Sequence, residues 1–242
     1  MQPSLAVIVL NYKRPQNIGR IVRDAREALP QASIFILDNA ADDGLHARGD
    51  IPWGEVWLHR AAANHGSGAR IALAAEMPFD HFIAIDDDTF LAPRQIAHLA
   101  DSLRREPGRA HGVWGQRVEM EGAVISYRHA LRRVDAAVSI LNMVYAFSRP
   151  QARAALALAA RVGLSDWRQI GSVDDILLSC GSPEPSLCHD LGSIEQCVTS
   201  NDPGTAQWRA ENFGRRREAL IGRLLQIRSI AVFSPLKFIP LA

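Results

Sequence analysis

Three adjacent carboxylates, Asp86-Asp87-Asp88, are the strongest chemical feature of the sequence. They follow Phe82-Ile83-Ala84-Ile85, an apolar run that reads as a buried strand. Open α/β sheets bind ligands at the carboxyl ends of their strands, which is where this triplet falls. Three adjacent carboxylates repel one another unless a cation compensates them. Hard divalent ions combine carboxylate oxygens with substrate phosphates, so Mn2+ or Mg2+ bound together with a diphosphate matches the triplet. A solvated acidic turn heading the next helix is the plainer alternative. A second acidic pair, Asp174-Asp175, opens the apolar run Ile176-Leu177-Leu178. A helix dipole favours carboxylates in the first turn, so capping accounts for this pair as well as chemistry does.

The loop Asn64-His65-Gly66-Ser67-Gly68-Ala69-Arg70 is rich in glycine and leads into a helix, offering backbone amides and an arginine to a phosphate. It has neither the P-loop lysine nor the dinucleotide-binding spacing. Asp38-Asn39 follows a strand and suits either a base or ribose contact or a plain turn. His189, between Cys188 and Asp190, is a candidate third metal ligand, against a surface or satisfied histidine. Trp208-Arg209-Ala210-Glu211 offers a ring and a guanidinium to an anionic substrate, or simply packs.

These residues need a scaffold, and the first half of the chain supplies a regular one. Leu5–Leu10 is a continuous apolar strand, Asn17 is placed to cap a helix with the stripe Ile18, Ile21, Val22, Ala25 and Leu29, and Ser33–Leu37 is a second strand. Such a β-α-β unit favours a parallel pair with a right-handed crossover. Glu55–Leu58 is a third strand, Ser67–Ala75 a helix and His81–Ile85 a fourth strand, so residues 5–105 read as a doubly wound α/β half. Beyond it, Gly112–Glu119 and Ala123–Tyr127 predict two strands joined at Glu121-Gly122. Val134–Phe147 is helix or strand by periodicity alone. Helices are expected over Gln151–Arg161, from Asp174, and over Glu211–Val232, with loops from Gly181 to Gly204. One domain spans 1–242, in three parts: the α/β half (1–105), the less regular half (106–210) and a basic amphipathic tail (211–242).

Of 242 residues, 48% are hydrophobic and 22% charged, which excludes a disordered chain. The net charge of +1 argues against a nucleic-acid partner. From Arg209 onward, however, seven basic residues face two acidic ones. That tail suits packing on the domain, a peripheral membrane contact or a dimer. Three cysteines outside any CxxC pattern read as free thiols. No segment approaches a membrane span, so the expected location is cytoplasmic.

Taken in order, several motifs resemble nucleotide-sugar glycosyltransferases of the GT-A fold, and more narrowly the exostosin-like family, glycosyltransferase family 64. They are Asn11-Tyr12-Lys13-Arg14, Leu37-Asp38-Asn39, Asn64 with Arg70, Ile85-Asp86-Asp87-Asp88-Thr89, Val173-Asp174-Asp175-Ile176-Leu177 and Trp208-Arg209-Ala210-Glu211. The resemblance implies an α/β fold of GT-A type, with a nucleotide-sugar-binding half (1–105) on a mixed, mainly parallel sheet and a smaller acceptor and catalytic half (106–210). It implies that Arg14, Asn11, Asp38, Asn39, Asn64 and Arg70 bind the nucleotide, that Asp86 and Asp87 hold ribose and sugar hydroxyls, and that Asp88 holds Mn2+. Asp175, with Asp174, would sit under the transferred sugar, and Arg209 would approach it, with Arg215-Arg216-Arg217 offering rivals. The implied activity is retaining transfer of an N-acetylhexosamine or related sugar from a UDP-sugar to a glycan or lipid-linked acceptor. A sugar-phosphate nucleotidyltransferase and a non-catalytic nucleotide-sugar-binding module are the alternatives.

Overall fold

The computed structural model describes residues 3–39, 44–121, 124–126 and 130–233. In chain order the strands and helices are β1 (Leu5–Asn11), α1 (Pro15–Ala28), β2 (Ser33–Asp38), β3 (Val56–Arg60), α2 (Ala69–Glu76), β4 (His81–Asp86), β5 (Thr89–Phe90), α3 (Pro93–Arg105), β6 (His111–Gln116), β7 (Val118–Glu121) and β8 (Val124–Ser126). Then come β9 (Ala130–Arg132), β10 (Ala136–Val138), β11 (Ile140–Ser148), α4 (Arg149–Arg161), α5 (Asp174–Cys180), β12 (Ser186–Cys188), β13 (Glu195–Gln196), α6 (Phe213–Gln226) and β14 (Val232–Phe233).

Eight strands run in the order β10-β12-β6-β11-β4-β1-β2-β3, and β9 joins the same sheet through β6. The pairs β1/β2, β1/β4 and β2/β3 are parallel, whereas β11 runs antiparallel to both β4 and β6. β1 is buried along its whole length because it is covered on both sides. Ala6, Ile8 and Leu10 enter one core, and Leu5, Val7 and Val9 the other. Phe82 and Ala84 of β4 divide from Ile83 and Ile85 in the same way, which is why both strands read as unbroken apolar runs. Helices α1 and α3 cover the second core, and α2, α4, α5 and α6 the first. At the centre of the first core Phe82 stacks on Phe147 at 5.6 Å. Each such fully buried side chain contributes about 1.5–3 kcal/mol.

Several expectations change, and one open choice closes. Where loops were expected over Gly181–Gly204, β12 joins the central sheet between β10 and β6, and β13 pairs with β5. Helix α1 starts at Pro15 with Arg14 as its N-cap, because a proline at N1 has no amide to satisfy. Asn17 lies inside the helix and donates instead to the Asp87 carbonyl at 2.7 Å. The stretch 134–147 is strand: β10 and β11, with an irregularity between Asn142 and Tyr145. The last helix ends at Gln226 rather than Val232, where Arg228 turns to positive φ (53°) and the Ser229 amide bonds the Leu224 carbonyl. The last residues of the basic tail, 234–242, lie outside the described residues. Among those described, no helix is long and apolar enough to cross a membrane.

Candidate active site

Register aligns the carboxyl ends of the parallel strands, with Leu10 opposite Asp86 and Asn11 opposite Asp38. A cleft of about 580 Å³ opens there. Its walls include Arg14, Asn39, Asn64, Arg70, Asp86, Asp87, Asp88, Asp174 and Asp175, so the structure gathers most of the residues singled out from the sequence. Asn11 and Asp38 sit beneath the wall. Asn11 Nδ2 donates to Asp38 Oδ1 at 2.9 Å, and Arg60 Nε to Asp38 Oδ2 at 3.3 Å. Asn39 donates to the Gly66 carbonyl at 2.8 Å, and its buried Oδ1 has no partner among the described residues.

The glycine loop is fixed by a backbone dock. Gly66 stands at φ +72°, and a Cβ there would lie 2.9 Å from the Cα of Gly171. The Gly68 amide donates to the Gly171 carbonyl at 3.0 Å, and Ser67 Oγ lies 3.0 Å from the same oxygen. Ser67 donates to Asp174, and Arg70 Nε reaches Asp174 Oδ2 at 2.9 Å. The Tyr145 hydroxyl donates to the same oxygen at 2.7 Å. Arg70 Nη1 continues to Asp86 Oδ1 at 2.6 Å, so one buried guanidinium joins the first acidic motif to the second.

Burial is the main force on these acids. It pushes Asp86 up to about 7, helped by the charges of Asp88 and Asp174 and opposed by Arg70. It pushes Asp87 to about 7 as well, against the Tyr12 amide and Arg14. For Asp174 burial also pushes upward, but Arg70, Ser67 and Tyr145 together outweigh it and hold the carboxyl below its usual range.

Asp175 faces different partners. It pairs with Arg217 Nη1 at 2.8 Å and accepts from Asn142 Nδ2 at 3.1 Å, and Arg217 Nη2 also reaches Gln116 at 3.3 Å. Of the C-terminal arginines weighed from the sequence, Arg217 is therefore the one that the structure brings to the second acidic motif. Arg209 is exposed, lies over the Trp208 ring at 5.0 Å and does not line the cleft. Its neighbour Trp208 does, as do Trp114 and Phe213. Nothing in the sequence around Arg217 separated it from Arg215 and Arg216. Only the start of α6 at Phe213 turns it inward. Gln116 and Asn142 carried no sequence signal beyond their place at a strand end and a strand irregularity.

His189 also lies off the cleft, because β12 pairs with the amino-terminal end of β6 while the carboxyl end, Gln116, lines the site. It stacks on His111 at 5.3 Å with 3.0 Å between ring nitrogens. Burial, together with His111 and His98, pushes it down to about 4.

The donor set at the aspartate turn fits a divalent ion. Asp88 accepts one side-chain hydrogen bond, from Thr89 at 3.2 Å, and Arg14 stands 3.8 Å from its other oxygen. Among the described residues no three His, Cys, Asp or Glu side chains are grouped to hold a metal. An ion at Asp88 and Asp86 would thus draw most of its ligands from phosphate and water, the usual habit of Mg2+-like cations.

No protein-family model matches the sequence, and no curated protein matches it. Solved structures do. One is S. aureus TarS 1–349, at 11% identity and a TM-score of 0.53, covering 92% of this chain and 72% of that one. Another is GalNAc-T7 with UDP, GalNAc and Mn2+, at 12% identity and a TM-score of 0.53, covering 81% of this chain. This chain spans 44% of GalNAc-T7. At such identities the likeness concerns the backbone, and it establishes the α/β fold of GT-A type for this chain.

Proposed function

We propose that the protein is a metal-dependent glycosyltransferase that moves a sugar from a UDP-sugar to a hydroxyl on a glycan or lipid-linked acceptor, with retention. One observation carries this reading: a single cleft at the strand ends joins Asp86–Asp88 to Asp174–Asp175 through buried Arg70 and sets Arg217 and tryptophan rings on the far side. The ligands present in GalNAc-T7 support the donor class.

Breaking a sugar–phosphate bond leaves negative charge on the departing diphosphate and positive charge on the sugar ring. Asp88 and Asp86 would hold a divalent ion, which would supply charge neutralisation to the leaving group. Arg70 orients Asp86 and keeps the glycine-loop helix against it. Asp175 is held at the cleft by Arg217 and Asn142, where its carboxylate would lie beside the positive charge that develops on the sugar. Retention rests on the resemblance to the exostosin-like family, and product anomer analysis showing inversion would overturn it. Trp114, Trp208 and Phe213 offer flat apolar faces to the acceptor.

The test is thermal stabilisation by UDP, GDP, CMP and dTDP, with and without Mn2+, followed by transfer assays with UDP-sugars. A UDP-selective, Mn2+-dependent shift that Asp88→Ala removes is the expected result. Saturation at about 100 times Kd is worth about 2.7 kcal/mol, readily seen in the melting curve. No shift with any diphosphate would overturn the reading. Pyrophosphate release from a nucleoside triphosphate and a sugar phosphate would replace it with nucleotidyl transfer.

A further inference from the structure

Six residues between 198 and 208 line the cleft: Ser200, Asn201, Thr205, Ala206, Gln207 and Trp208. This wall has almost no regular structure, only short turns at Val198–Asn201 and Gln207–Arg209. Its internal bonds are local, such as Ala206 N to Asp202 O at 2.8 Å. The wall is entered from Cys197, whose amide donates to the Asp88 carbonyl at 2.9 Å, and Arg14 adds three hydrogen bonds within 198–208. Its Nε donates to Thr199 Oγ1 at 3.1 Å, and its Nη2 to the Thr199 carbonyl at 2.9 Å and to Thr205 Oγ1 at 3.0 Å. Nη1 faces the other way, toward Asp87 at 2.9 Å and Asp88 at 3.8 Å. Arg14 is 4% exposed, and each of its three nitrogens already donates to the chain.

From this we infer that Arg14 is a positioning residue that hangs the 198–208 wall on the aspartate turn and serves as that turn's built-in counter-charge, rather than a ligand of the diphosphate. A planar guanidinium spans three acceptors on the wall and a carboxylate on the turn, a geometry the point charge of lysine does not reproduce. The wall carries Trp208, so the position of an acceptor-side ring depends on a residue in the donor half. The consequence for transfer rests on the proposed function; the tether itself does not.

Hydrogen exchange on the full chain tests it, comparing the wild type with Arg14→Gln, Arg14→Lys and Thr205→Val. The amides to follow are Ser200, Asp202, Thr205 and Ala206, with those of β1 as an internal control. The expected result is exchange at least about fivefold faster in the wall for Arg14→Gln and Arg14→Lys, with β1 unchanged. Thr205→Val, which removes one acceptor and no charge, should give a smaller rise confined to the wall. It reports on the tether even where Arg14→Gln fails to fold. In parallel, calorimetric titration of UDP with Mn2+ should give affinities within about threefold of wild type for Arg14→Lys, with the loss falling on acceptor KM. Wall exchange that stays below about fivefold in the arginine variants overturns the inference, as does a tenfold loss of UDP affinity in Arg14→Lys with the wall unchanged. If the wild type binds no UDP at all, the proposed function fails, and the exchange comparison still decides the role of Arg14.

Discussion

Asp174 gives both oxygens to the chain, to Ser67 on one side and to Arg70 and Tyr145 on the other, whereas Asp175 lies at the cleft with Arg217 and Asn142. The two neighbours should therefore fail differently. Asp174→Asn removes the charge that Arg70, Ser67 and Tyr145 share and should cost about 1–3 kcal/mol in chemical denaturation, with Arg70 left paired to Asp86. Asp175→Asn should leave UDP affinity within about threefold while transfer falls about a hundredfold or more, a split that initial rates and titration resolve. Lost nucleotide binding in Asp175→Asn would contradict its place under the sugar. At this scale the triplet was legible because three adjacent carboxylates at the end of a buried strand repel one another without a cation, whereas the pair opening α5 was equally well explained by capping. The choice between Arg209 and Arg217 was not, because it depends on a helix starting two residues after Glu211 and on which of three consecutive arginines faces inward.

The glycine loop works because two backbones touch. Gly66 has positive φ and no room for a Cβ against Gly171, whose own φ is +53°. Gly66→Ala should destabilise by about 1–3 kcal/mol and also weaken diphosphate binding, because the loop carries Ser67 and Arg70 into place. A melting curve together with a UDP titration checks both parts; a fully stable Gly66→Ala would mean that the dock yields. The glycine pattern at 64–70 was visible in the sequence, but its partner at 171 was not, since nothing local links segments about a hundred residues apart. The β-α-β start was legible for the opposite reason: its strands and helix are adjacent and each carries a clean period. β11 was ambiguous because a strand covered on both faces loses its alternation, Val144 and Ala146 entering one core while Tyr145 and Phe147 enter the other.

Over the whole molecule, the raised values of Asp86 and Asp87, about 7 each, set a pH dependence. Between the unfolded value near 3.8 and the folded value, the native state binds more protons than the unfolded one. Stability in the absence of metal should therefore fall as pH rises through that interval and level off above about 7. The slope for each group is at most about 1.4 kcal/mol for every step of one in pH. Mn2+ takes the ionised form, so its stabilising effect should grow from about pH 5.5 to 7.5. Melting temperatures with and without Mn2+ across that range decide it, and an equal gain at both ends would count against the aspartate turn as the metal site. The sheet adds a consequence of another kind. β11 is the antiparallel seam between β4 and β6, and the two acidic motifs come from segments on either side of it in sequence. The motifs meet through contacts between residues far apart in sequence, and such non-local closure is slow. During refolding, secondary structure measured by circular dichroism should thus return before the capacity to bind a nucleotide. The ligand would serve as a clock for the last step of assembly.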